Sequence, residues 1–135
     1  DAGVRASQKL VEAMIAAEKE RGIRQIVLAG FSQGGAIVLQ TALRHSEGLA
    51  GVLALSTYLP LHRTLEAERS AANREVPIFM AHGQHDEIIP LQRAEQSRQL
   101  LERLGYKVEW HTYPMPHSVC PEEIADISAF LRRIL

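Results

Sequence analysis

The sequence predicts an α/β fold, a parallel sheet with helices on both faces. Three observations carry that expectation. Helical and strand-like segments alternate along the chain, which is the order that parallel sheets require. The strand-like runs are short, β-branched and apolar on both faces, as in buried parallel strands. At 135 residues the chain suffices for one hydrophobic core and hardly for two, so residues 1–135 are read as a single domain.

The elements follow in order. Val4, Leu10, Val11, Met14 and Ile15 recur at helical spacing between Arg5, Gln8, Lys9 and Glu12, giving an amphipathic helix that Gly22 ends in a left-handed cap. Gln25 to Ala29 reads as a buried central strand. Gly34 to Arg44 is apolar nearly all round, as a helix lying against a sheet should be. Gly51 to Leu55 and Val76 to Ala81 are two further strands, the latter with Pro77 near its start, where a missing N–H is tolerated. Between them, Thr57 to Arg74 is too long for a tight connection and has room for a short helix around Thr64 to Ala71. Leu91 to Leu104 is an amphipathic helix closed by Gly105. Lys107 to Tyr113 alternates like a half-exposed edge strand. The last helix starts at Pro121, carries Glu122 and Glu123 at the positive end of its dipole, and has Ile124, Ile127, Leu131 and Ile134 as its buried stripe.

Composition narrows the function. The chain is 46% hydrophobic and 23% charged, with a formal net charge of -1, ordinary for a globular protein. Basic residues are spread along it, so no stripe points to nucleic acid and no polybasic segment to an anionic membrane. No apolar run approaches a transmembrane helix in length. The single cysteine, Cys120, excludes an intrachain disulfide and offers no metal-type spacing. Asp1 leads almost directly into a helical pattern, so the sequence is expected to start partway through a larger protein.

Gly30-Phe31-Ser32-Gln33-Gly34 matches the G-x-S-x-G nucleophile elbow, with an apolar strand directly before it and a buried helix directly after. Such a turn strains the serine backbone, is expected to exclude side chains two residues to either side, and lifts the hydroxyl clear of the sheet. The backbone N–H of Gln33 then points to where an oxyanion would form. A serine hydroxyl needs an adjacent base held by a carboxylate. In α/β-hydrolases these follow in the order acid, then histidine, from loops at the carboxyl ends of later strands. Asp86, in His82-Gly83-Gln84-His85-Asp86, follows the third strand. His117, in Tyr113-Pro114-Met115-Pro116-His117, follows the fourth. Their rivals fit less well. Glu87 adjoins Asp86 and reads as a solvated turn residue. Asp126 lies in the final helix. His45 and His62 precede the third strand, His111 sits inside a strand, and His82 and His85 precede the acid. His82, His85 and Asp86 lack the further ligands of a metal site, and His82 reads as structural, donating a hydrogen bond that shapes the Asp86 loop. Cys120 reads as packing.

The segments Gly30-Phe31-Ser32-Gln33-Gly34-Gly35-Ala36, Leu55-Ser56-Thr57-Tyr58-Leu59-Pro60, His82 to Pro90 and Tyr113 to His117 resemble the carboxylesterase and acyl-protein thioesterase (phospholipase/carboxylesterase) family of α/β-hydrolases along the whole chain. The resemblance implies a Ser32, Asp86 and His117 triad, with Gln33 as one oxyanion donor. It also implies hydrolysis of small-molecule esters or acyl thioesters without metal or cofactor, mostly in the cytoplasm. Leu59 and Leu61 are candidates for the acyl pocket, from their apolar character beside a strand end. The family places several strands before the first helix, and a loop among them carries a His-Gly segment with the second oxyanion donor. This sequence has neither, so it is expected to form the C-terminal part of the domain, with an unpaired apolar edge on the first strand. Losing one oxyanion donor costs about 10²–10³ in rate. Two alternatives therefore stand beside the esterase reading: a non-catalytic fragment, and a lysophospholipase or protein-deacylase specificity. Oligomeric state is not legible.

Overall fold

The computed structural model describes residues 1–135. Four parallel strands, β1 (Val27–Phe31), β2 (Gly51–Leu55), β3 (Ile78–Gly83) and β4 (Val108–Tyr113), lie in the order β1-β2-β3-β4. The registers keep the carboxyl ends together, with Phe31 beside Leu55, Leu55 beside Ala81 and Gly83 beside Tyr113. Because side chains alternate across a strand, the sheet feeds two cores. Val52, Ala54, Ile78 and Met80 pack with residues of α1 (Ala2–Glu20), α2 (Gln33–Arg44) and α4 (Leu91–Arg103). Leu53, Phe79 and Ala81 pack on the opposite face with α5 (Pro121–Ile134), through Phe130, Ile127 and Leu131. Helices thus cover both faces, as expected. Gly22 (φ 90°) and Gly105 (φ 95°) follow α1 and α4 in the left-handed region.

Four details depart from the sequence reading. β1 starts two residues later than expected, and at the sheet edge, where the unpaired edge expected of it lies, it is half-buried along most of its length rather than buried on both faces. Leu10 and Met14 face outward, with exposures of 68% and 66%, leaving Ile15 as the buried anchor of α1. In α5 the inward turn falls one residue earlier than expected, so Glu123 is fully buried while Ile124 is 55% exposed. Helical spacing defines a stripe, but its phase is set by the partner surface.

The long segment after β2 contains a 3-10 turn at His62–Thr64, the short helix α3 (Leu65–Glu68) and a second 3-10 turn at Ala71–Asn73. A charged cluster ties it down. Glu68 accepts hydrogen bonds from Arg5 of α1, Arg44 of α2 and Thr64. Arg44, its side chain 3% exposed, also donates to the carbonyl of Leu61. Arg5, then Arg44 and Thr64, hold the Glu68 carboxyl down at about 2. No helix is long and apolar enough to cross a membrane.

Candidate active site

Ser32 stands between the end of β1 and the start of α2, with φ 58° and ψ −121°. That backbone costs about 1–3 kcal/mol and persists only where its surroundings over-determine it. Here they do. The Ser32 N–H donates to Leu55 O at 2.8 Å, and the Ser32 carbonyl accepts from Thr57 Oγ1 at 2.6 Å and from Ala36 N at 3.1 Å. A Cβ on Gly30 would lie 2.3 Å from Gly34 O, so the first glycine of the elbow is sterically required. The second is not, because a Cβ on Gly34 would meet nothing within 4 Å. The second constraint falls instead on Gly35, where a Cβ would sit 2.7 Å from the Thr57 side chain. The serine side chain makes no capping bond to α2. Free N–H groups at a helix start form a small positive site, and that of Gln33 directly follows Ser32.

The loops after β3 and β4 bring Asp86 and His117 to this point. His117 Nε2 lies 3.0 Å from Ser32 Oγ, and His117 Nδ1 lies 2.7 Å from Asp86 Oδ2. Facing a carboxylate, Nδ1 carries the proton and donates it, leaving Nε2 to accept from the serine hydroxyl. Asp86 Oδ1 accepts from the N–H groups of Ile88 (2.9 Å) and Ile89 (2.8 Å). Burial pushes this carboxyl up, but the N–H of Ile89, the His117 ring and the N–H of Ile88 outweigh it, so Asp86 is held below the usual carboxylate range. The Asp86 side chain is inaccessible to solvent and that of His117 is 17% exposed, so the pair operates with little water around the acid.

Residues that the sequence reading did not assign complete the arrangement. Phe31 packs against the His117 ring with centroids 4.9 Å apart. Gly83 lets the acid loop meet the base loop, since a Cβ there would be 2.3 Å from both Met115 O and Pro116 O. The N–H groups of Gln84 and His85 bond across to Tyr113 O (2.8 Å) and Met115 O (3.1 Å). The available signals were the position of Phe31 inside the elbow and the glycine that ends the third strand. His82, fully buried, donates from Nε2 to Ile89 O at 2.7 Å and lies 3.4 Å from Asp86 Oδ2. It closes the Asp86 loop, the structural place assigned to it.

The rivals lie elsewhere. Glu87 and His85 are exposed, Asp126 accepts from the Tyr113 hydroxyl at 2.7 Å, and Cys120 caps α5. No three His, Cys, Asp or Glu side chains are arranged to hold a metal ion.

Beside Gln33 a cleft of about 350 Å³ is walled by Val4, Ala36, Ile37 and Tyr58. Leu59 and Leu61 are not among its walls. Leu59 is 4% exposed and belongs to the larger core, while Leu61 adopts a left-handed backbone (φ 43°) where its carbonyl meets Arg44.

The model of the phospholipase/carboxylesterase family matches residues 1–135. An acyl-protein thioesterase 1 from Gibberella zeae is 44% identical over 98% of this chain and 59% of its own length. Crystal structures of esterase PE8 (29% identity, TM-score 0.91) and of Arabidopsis thaliana SOBER1 (25% identity, TM-score 0.94) superpose on 99% and 98% of the chain, using 63% and 65% of theirs. The chain spans 48% to 63% of the length of the curated relatives it matches. With the elbow, the strand order and these matches together, the chain belongs to the phospholipase/carboxylesterase family and has its α/β-hydrolase fold.

Proposed function

We propose that this chain carries the catalytic centre of a cytoplasmic serine hydrolase that cleaves carboxylic esters or acyl thioesters through an acyl-enzyme. The observation that carries the reading is the continuous hydrogen-bonded series from Ser32 Oγ through His117 to Asp86. Ser32 Oγ attacks the substrate carbonyl carbon while His117 Nε2 takes the hydroxyl proton. The resulting imidazolium is stabilised by Asp86, whose position the Ile88 and Ile89 N–H groups fix. The oxyanion faces the N–H of Gln33 at the start of α2. Collapse of the tetrahedral adduct breaks the bond to the leaving oxygen or sulfur, which receives the proton from His117. Water then attacks the Ser32 acyl ester with His117 again as base, and the acid and free enzyme are released.

The cleft beside Gln33 is the natural seat for the acyl group, with Tyr58 and Ile37 as apolar walls. Leu59 and Leu61, which follow Tyr58 in the chain, are the further candidates for the acyl pocket, from their apolar character beside a strand end. A changed acyl-chain preference in Leu59→Ala or Leu61→Ala supports that part, and an unchanged one counts against it. Thioesters are included because the similar Gibberella zeae protein bears the name acyl-protein thioesterase 1. A reducing compartment is consistent with the single cysteine.

The test is covalent labelling by a fluorophosphonate probe, alongside hydrolysis of a short-chain chromogenic ester. Both are expected in the chain and absent in Ser32→Ala. A folded sample that neither labels nor turns over ester refutes the proposal for this chain.

A further inference from the structure

A second, narrower cleft of about 280 Å³ runs between α4 and the segment after β2. Arg93, Ser97, Leu100 and Arg103 share one helical face along it, and Leu59 and His62 close the other side. No acidic residue lines it. Arg5, Arg44, Arg98 and Arg133 all pair with carboxylates. Arg93 and Arg103 have no carboxylate within 4.0 Å, and neither guanidinium donates a hydrogen bond within the protein. Arg93 is nonetheless held in place, its guanidinium 3.6 Å from the centroid of the Tyr58 ring, a geometry that leaves the edge N–H donors free.

This cleft is joined to the nucleophile by three consecutive residues. Thr57 donates to the Ser32 carbonyl. Tyr58 walls the cleft beside Gln33. The N–H of Leu59 donates to Ser97 Oγ at 2.9 Å, inside the second cleft. From Thr57 to Leu59 the chain spans at most about 7 Å, so the two clefts are neighbours on either side of one short segment. Two unpaired guanidiniums over an apolar floor of Leu59 and Leu100 suit a group that is anionic at its tip and carbon-rich at its stem.

We propose that the Arg93–Arg103 cleft is a specificity subsite that binds a phosphate or carboxylate group carried by the ester or thioester substrate. The proposal rests on the reading of Ser32 as the nucleophile. It makes the substrate an acyl compound with a second, negatively charged end, recognised apart from the bond that is cleaved.

The test compares two thioesters with the same octanoyl group, one with a thioglycolate leaving group (anionic) and one with mercaptoethanol (neutral). The kcat/KM ratio of anionic to neutral substrate is expected to be about ten in the wild type, carried by KM, and to shrink with added salt. In Arg103→Gln and in Arg93→Gln it should fall toward one. Equilibrium binding of the two corresponding non-hydrolysable ketone analogues to Ser32→Ala reads the same preference without turnover. A ratio near one in both measurements overturns the subsite, while labelling at Ser32 leaves the esterase reading intact. Competition by inorganic phosphate with no preference between the thioesters also overturns it, because the cleft would then hold a free anion rather than the substrate. Failure of labelling with the analogue preference retained refutes the esterase reading and supports the anion site.

Discussion

Gly83→Ala puts a methyl carbon where two carbonyl oxygens already stand. The added Cβ would lie 2.3 Å from Met115 O and 2.3 Å from Pro116 O, whereas an unstrained carbon-to-oxygen contact is about 3.3 Å. The backbone of Gly83 is not in the left-handed region, so alanine is conformationally acceptable there and the effect is steric alone. Both obstructing atoms are backbone, so one of the two loops has to retreat by about 1 Å. Pro116 immediately precedes His117, and a shift of that size lengthens the 3.0 Å contact between His117 Nε2 and Ser32 Oγ. A misplacement of about 1 Å typically costs on the order of 10²-fold in rate, and overpacking of this kind costs about 1–3 kcal/mol of stability. The assay is the second-order rate of fluorophosphonate labelling at Ser32, read beside a thermal melt. Slower labelling by about 10²-fold in a folded variant is expected. Labelling within about threefold of wild type would show that the base does not depend on this close approach, and the reasoning would fail.

Asp86→Asn keeps the shape of the loop but removes the charge that stabilises the His117 imidazolium, so kcat for a chromogenic ester should fall by about 10³–10⁴ while circular dichroism stays native. His82→Phe leaves the buried Ile89 carbonyl without its donor, so chemical denaturation should show a loss of about 1–3 kcal/mol, with slower labelling because the Asp86 loop loosens. Glu123 is fully buried and neither carboxylate oxygen makes a well-formed hydrogen bond. Burial pushes this carboxyl above its ordinary 4.5, opposed in part by the N–H of Cys120. The folded state therefore favours the protonated form, and stability falls as pH rises through the folded value. The melting temperature of Glu123→Gln should exceed that of wild type near pH 8, and the difference should close as pH drops toward 4.5. Glu68 has the opposite sign. Its folded value of about 2 lies below 4.5, so its contribution is complete above 4.5 and vanishes as pH falls to about 2. Glu68→Gln should therefore melt below wild type at neutral pH and alongside it near pH 2.

Much of the fold and the candidate site was legible in the sequence because its signals are local. The alternation of helix and strand, the capping glycines at 22 and 105, and the strand–serine–helix elbow each depend on a few neighbouring residues. Chain order and strand ends then singled out Asp86 and His117. The sequence could not give what depends on distant surfaces meeting. Only packing decided that Glu123 rather than Ile124 turns inward, and that Leu59 faces the core while Tyr58 walls the cleft. The elbow shows the same division. Its first glycine is required by backbone four residues away, but the second close approach, at Gly35, is to the side chain of Thr57 on another strand's loop. Local chemistry thus determined which residues are the candidates for the reaction. The tertiary structure decided their distances and their walls, because a 3.0 Å contact between residues 85 positions apart exists only once the sheet has brought its strand ends together.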